Sequence, residues 1–169
     1  MELAIVSDTH VPSRADEIPD WVADRLREAD HTLHAGDFDS VAALEAVERL
    51  SDGDLTAVAG NMDHARLDLP NVAVLTVEGV EFVVLHGTGE RENYERRVAD
   101  AVRQTAGGSE TLVGVCGHTH EYIDETVDGV RLLNPGSATG AAPAEEATML
   151  TAAVEAGTVE ATVHRGPET

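Results

Sequence analysis

The chain has 169 residues, 32 of them acidic and 11 basic, for a formal net charge of −21; every basic residue is an arginine and lysine is absent. The length suits one domain, 1–169, built on a single core. The charge excludes the basic stripe that long nucleic acids require, no apolar run approaches the ~20 residues of a membrane span, and without a signal-peptide pattern the expected location is cytoplasmic.

The first apolar run, Glu2–Val6, reads as a strand opening into Ser7-Asp8-Thr9-His10. Ile18, Val22, Leu26 and Ala29 then recur at helical spacing around Pro19, which suits a first helical position. A second strand at 32–35 opens into Gly36-Asp37. Val41, Leu44, Val47 and Leu50 mark a helix with Asp39 as its expected cap. A third strand, 56–59, leads to Gly60-Asn61, and two strands follow around Glu78-Gly79, the second of which (81–85) ends at His86. Tyr94, Val98, Ala101 and Val102 predict a third helix. Strand 111–116 opens into Gly117-His118-Thr119-His120. Up to about residue 108 the alternation of strand and helix indicates an α/β fold. From Thr111 onward, turns at Asp128-Gly129 and Ala156-Gly157 predict antiparallel hairpins forming a second sheet. The expected architecture is a two-sheet sandwich flanked by helices, with 166–169 as a frayed end.

Five strands thus end in residues able to bind a metal: Asp8, His10, Asp37, Asn61, His86, His118 and His120. In open α/β sheets, ligands bind outside the carboxyl ends of the strands, so these seven are expected to converge. Asp37 can bridge two cations, with Asp8, His10 and His120 completing one site and Asn61, His86 and His118 the other. Oxygen and imidazole donors together suit manganese, iron, nickel or zinc better than calcium or magnesium. Two such ions ~3.5–4 Å apart would activate a shared water and stabilise the attacking and leaving oxygens at phosphorus. The chemistry that follows is phosphoester hydrolysis.

Asp8-Thr9-His10, Gly36-Asp37, Gly60-Asn61-Met62-Asp63, His86-Gly87 and Gly117-His118-Thr119-His120 occur in the order of the calcineurin-like metallophosphoesterase family, which the chain resembles over residues 1 to about 137. The resemblance is strongest to the small YfcE-like phosphodiesterase branch, which also carries a turn like Asn134-Pro135-Gly136-Ser137. It implies a four-layer αββα sandwich, a dinuclear centre commonly active with manganese, and a metal-dependent phosphodiesterase acting on a small phosphate ester. Asn61 and His118 would also contact the phosphoryl group. Two departures stand out. Met62 occupies the position where many members carry a proton-donating histidine, and the loop from Ala138 to Pro143 lacks an arginine often found there. The alternatives are a phosphomonoesterase or nucleotidase, and a non-catalytic scaffold of the same fold that binds other proteins; a homo-oligomer is left open.

Other residues carry plainer expectations. His31 and His34 lie on opposite faces of one strand and cannot share an ion, which leaves His34 to packing or to support of the ligands. Arg14 is expected in surface ion pairs, Cys116 in the core, and His64 in solvent. His164 suggests no function. The acidic residues are spread among ordinary apolar segments, as in a protein from a halophile, where screening over ~3 Å at 1 M salt removes their repulsion.

Overall fold

The structure, a computed structural model, describes residues 1–167. Strand β1 (Glu2–Val6) is buried from Leu3 onward and pairs in parallel with β2 (His31–His34), which pairs in parallel with β3 (Leu55–Ala57). Helices α1 (Asp20–Glu28) and α2 (Val41–Leu50) make the two crossovers. A strand covered on both faces must be continuously apolar, as Leu3-Ala4-Ile5-Val6 is.

The second half supplies β4 (Val72–Val77), β5 (Val80–Leu85), α3 (Tyr94–Thr105), β6 (Thr111–Val115), β7 (Tyr122–Val127), β8 (Val130–Pro135), β9 (Thr148–Glu155) and β10 (Thr158–Arg165). The turns Glu78-Gly79, Asp128-Gly129 and Ala156-Gly157 each have positive φ at both residues, the geometry that matches the twist of a two-residue hairpin. One sheet has the order β10-β9-β1-β2-β3 and the other β4-β5-β6-β8-β7.

This assignment corrects the expectation for the C-terminal part. Strands β6, β7 and β8 join the β4–β5 hairpin, whereas β9 and β10 return to the first sheet, with Leu150 of β9 opposite Ile5 of β1. Turn residues specify which strands form a hairpin; they carry no information about the sheet that hairpin enters. Strand β6 is also parallel to both β5 and β8.

The cap of α2 is a second correction. Ser40, not Asp39, accepts the Ala43 N–H at 3.0 Å, while Asp39 stands at φ 76° with its carboxylate turned to His10. Pro19 is the residue before α1 rather than its first. At the C-terminus, Gly166 donates its N–H to the Ala147 carbonyl at 2.8 Å, so the expected fraying does not begin there; residues 168 and 169 lie outside the described residues.

The main core lies between the sheets. Leu3, Ile5, Leu33, Leu150 and Val154 of one meet Val80, Phe82, Val84, Val113 and Leu133 of the other. Full burial of each such side chain stabilises by about 1.5–3 kcal/mol relative to exposure. Val98 and Val102 of α3 cover Val83 and Leu132 on one outer face, and Val22 and Leu26 of α1 cover Ala4, Val6 and Met149 on the other. The layers are helix, sheet, sheet, helix, as expected. Among the described residues no helix is long and apolar enough to cross a membrane.

This packing brings the carboxyl ends of β1, β2, β3, β5 and β6 to one end of the sandwich. All five loops carrying the candidate ligands leave from those ends.

Candidate metal centre

The backbone at this end is bent inward. Asp8, His10, Asp37, His118 and His120 have φ of 52°, 45°, 63°, 74° and 61°. Left-handed non-glycine backbone costs on the order of 1 kcal/mol or more per residue and concentrates at functional sites. Here the two N-terminal loops hold one another in that shape. The N–H groups of Asp8, His10 and Val11 donate to the carbonyls of Gly36, Asp37 and Phe38 at 2.9, 3.1 and 3.1 Å. Gly60 permits the third loop to close over them, because a Cβ there would overlap the Asp37 carboxylate.

The structure brings all seven candidate ligands together. Asp8 Oδ1 lies 3.3, 3.7 and 3.9 Å from Nε2 of His120, His10 and His86. Asp37 Oδ2 lies between His10 and His86, 3.5 and 3.1 Å from their Nε2 atoms. Asn61 Oδ1 is 3.0 Å from His86 Nε2 and 3.1 Å from His118 Nδ1. Asp8, His10, Asp37, His86 and His120 are buried, while Asn61 is exposed at the mouth.

Each imidazole is anchored by its outer nitrogen. His86 Nδ1 meets the Ala35 carbonyl at 2.7 Å, His120 Nδ1 the Ala141 carbonyl at 2.8 Å, and His118 Nε2 the Gly89 carbonyl at 2.9 Å. His10 Nδ1 meets both Asp39 oxygens at 3.0 Å. Carbonyls and carboxylates only accept, so the proton of each neutral ring sits on the outer nitrogen and a lone pair faces inward. Four inward lone pairs therefore converge on three oxygens. His10 Nε2 and His120 Nε2 stand 3.2 Å apart, and Asp8 Oδ1 is buried without a hydrogen-bond donor. Only protons or metal cations can satisfy such a set.

The electrostatics agree. Burial pushes the Asp8 carboxyl upward, but the neighbouring His10 and His120 imidazoles outweigh it and hold the group below the usual carboxylate range. Burial likewise opposes the charged form of Asp37, which its contact with His86 and the Met62 N–H nonetheless favours. For His10, burial is overcome by Asp8 and Asp39, and for His86 by Asp37 and Asp8, so both hold protons more tightly than a free imidazole. A cation entering here displaces those protons, so affinity for metal rises with pH.

His34 has the opposite character. Fully buried under the site, it stacks on Phe38 with ring centroids 3.6 Å apart, and its Nδ1 accepts the Gly36 N–H at 3.1 Å. Burial drives its pKa from 6.5 to about 3. The unfolded chain binds this proton first, so the contribution is full above pH 6.5 and is lost as pH falls toward 3, on the order of 4 kcal/mol in all. His10 and His86, raised in the folded state, stabilise below pH 6.5 and lose that contribution as pH rises through their folded values. Metal-free protein is therefore expected to show a maximum in its urea midpoint near pH 6.5. The acid-side slope should flatten in His34→Gln; an unchanged slope in that variant would remove His34 as its source.

The other histidines, Cys116, Arg14 and Met62 make contacts of their own. His31 Nε2 pairs with Thr56 Oγ1 at 2.8 Å, and His164 Nε2 with Thr151 Oγ1 at 2.8 Å. His64 is exposed and caps a short turn, accepting the Arg66 N–H at 3.1 Å. Cys116 is buried in the core, its thiol pushed up to about 12 by desolvation. Among the described residues Arg14 makes no surface ion pair. It donates to the Ala142 carbonyl at 2.9 Å, in the loop whose Ala141 carbonyl anchors His120. Met62 is 47% exposed, and its N–H donates to Asp37 Oδ1 at 2.8 Å.

Four further residues support the site without a distinct sequence signal of their own. Asp39 holds His10, and Ser137 donates to the Asp8 carbonyl at 2.7 Å. Asn134 donates to the Gly117 carbonyl at 3.0 Å and to Thr119 Oγ1 at 3.1 Å. Asp63 accepts four backbone N–H groups. Asp63, Asn134 and Ser137 lie inside the quoted motifs, which was the available signal; in a chain with 32 acidic residues a single aspartate does not stand out.

Comparison with known proteins gives a consistent result. The profile described as the calcineurin-like phosphoesterase superfamily domain matches residues 1–157. A protein of Methanothermobacter thermautotrophicus named "probable metallophosphoesterase" is 35% identical over 140 residues, covering 82% of this chain and 78% of the relative. Vps29 of Chaetomium thermophilum has a TM-score of 0.80 at 21% identity, over 98% of this chain and 97% of its own. A structure described as a novel archaeal phosphodiesterase has a TM-score of 0.73 at 23% identity, over 97% and 100%. At those identities the two structures establish likeness of fold.

Proposed function

Because the chain belongs to the calcineurin-like phosphoesterase superfamily, we propose that it is a metal-dependent phosphodiesterase, with residues 1–169 as one metallophosphoesterase domain. The observation that carries this reading is the converging acceptor set, above all the buried, donorless Asp8 Oδ1 among three imidazole nitrogens. Asp8, His10 and His120 would hold one divalent ion, and Asn61, His86 and His118 a second, with Asp37 shared between them. Manganese is the ion we favour; iron, zinc and nickel suit the same donors.

When bound, two such ions lower the pKa of a water and offset charge on the phosphoryl oxygens. Asn61, which is exposed, and His118, which is half-buried, would contact the phosphoryl group. Asp39 and the carbonyls of Ala35, Gly89 and Ala141 keep the four rings from turning as charge develops. Met62 offers no proton to the leaving oxygen, which favours esters whose alcohol departs as a stable anion. The acidic, lysine-free composition suits a cytoplasmic protein working in concentrated salt.

Metal-stripped protein in molar salt, supplied with manganese, is expected to hydrolyse bis-p-nitrophenyl phosphate faster than p-nitrophenyl phosphate with two ions bound. A reversed ratio would make it a monoesterase or nucleotidase. Two bound ions without turnover on either ester would favour the second reading, a protein-binding scaffold, which the fold shared with Vps29 supports. Folded protein that binds no metal would remove both the centre and the enzyme.

A further inference from the structure

We propose that Asp63 is a positioning residue through which both metal sites are built, although it holds neither ion; the inference rests on the two-metal reading above. Its half-buried carboxylate is saturated by backbone. Oδ2 accepts the N–H of Asp37 at 2.8 Å and of Gly60 at 2.9 Å, and Oδ1 accepts those of Phe38 at 2.8 Å and Asp39 at 2.9 Å. An ionised carboxylate has about four lone-pair sites, and four donors use them all. Asp63 lies close enough to Asp37 and Asp39 to form a carboxylate cluster with them. Its oxygens are nevertheless committed and have none left for a cation.

The donors it collects belong to an unusual turn. Gly36, Asp37 and Asp39 have φ of 100°, 63° and 76°, and the resulting backbone aims successive N–H groups into one concavity, the kind of nest that binds an anion. Asp63 is that anion, supplied by the loop that carries Asn61. One carboxylate thereby fixes three things. It sets the backbone of Asp37, the shared ligand. It holds Asp39, which in turn anchors the His10 ring of the first site. It also ties Gly60 to the same turn, which places Asn61 of the second site and brings the Met62 N–H to Asp37 Oδ1 at 2.8 Å. The two sites are therefore expected to weaken together when Asp63 is altered.

Asp63→Asn keeps the shape and removes the match, since one side-chain oxygen becomes an amino group facing backbone donors. Manganese affinity at each site, measured by chelator competition on metal-free protein, is expected to fall on the order of 10–100-fold at both, the effect typical of losing a group that orients ligands. Paired-manganese signals in electron paramagnetic resonance should be lost at metal concentrations that saturate the parent. Circular dichroism of the metal-free variant reports whether the fold persists. Should Asp63→Asn not fold, Asp63→Glu carries the test, because it keeps the anion but displaces it by one methylene and should again lower both affinities. Parental affinity at either site, in a folded variant, overturns the proposal while leaving the two-metal reading intact. A parent protein that binds no manganese overturns both.

Discussion

Asp37→Ala is expected to eliminate the proposed paired centre and to lower diester turnover by on the order of 10³-fold or more. Asp37 and Asp8 both face ligands of the two proposed sites, and Asp37 makes the closer approach to His86 of the second. Its Oδ2 stands 3.5 Å from His10 Nε2 and 3.1 Å from His86 Nε2, and its Oδ1 takes the Met62 N–H. Without it Asp8 must neutralise two imidazole groups and any cation alone. Alanine is also a poor occupant of φ 63°, so a loss seen with alanine mixes charge with backbone strain. Asp37→Asn separates the two, since asparagine tolerates left-handed backbone. Metal counted per chain and kcat on a nitrophenyl diester are the readouts. Retention of two ions by Asp37→Asn would sink the assignment of Asp37 as the shared ligand.

The second large effect is expected from Gly117→Ala, a change of one methyl group at a residue that binds nothing. A Cβ at this position would stand 2.7 Å from Asp8 Oδ2 and overlap the Ser7 hydroxyl. The strand end cannot withdraw to make room. The Gly117 N–H donates to the His86 carbonyl at 3.1 Å, and its carbonyl accepts from Tyr94 and Asn134. Overpacking of this kind destabilises by about 1–3 kcal/mol. Because Asp8 is the group displaced, manganese affinity should fall on the order of 10–100-fold in the same protein. Urea denaturation of the metal-free form and a manganese titration give the two numbers. Parental values for both would mean that the first loop is softer than its hydrogen bonds imply.

The proposed ligands are legible in the sequence; the residues that support them through geometry are not. Asp8, His10, Asp37, Asn61, His86, His118 and His120 each sit just past an apolar run, and strand ends that line one crevice bring such residues together. Asp39 reads as a helix cap in sequence because its type and place fit that role equally well. Its positive φ, which turns the carboxylate to His10 and leaves capping to Ser40, follows from the clasp of Asp63, a contact across 24 residues. The Ala141 carbonyl that anchors His120 is a backbone atom, and no side-chain motif could announce it. The sheet topology divides in the same way. Hairpins were visible in their X-Gly turns, while the return of β9 to β1 depends on the shape of a core that forms only when both sheets are present.

That return governs the order in which the molecule can be made. Strand β1 lies between β2 and β9, and Ala138 and Ser137 bond to the carbonyls of Ser7 and Asp8. The loop nearest the N-terminus is thus braced from far along the chain, Ser137 standing 129 positions after Asp8. Contacts so distant along the chain form slowly, and until β9 emerges the apolar edge of β1 stays open to wrong partners. A nascent chain halted before residue 148 would contain all seven proposed ligands and yet lack the strand that completes their bed.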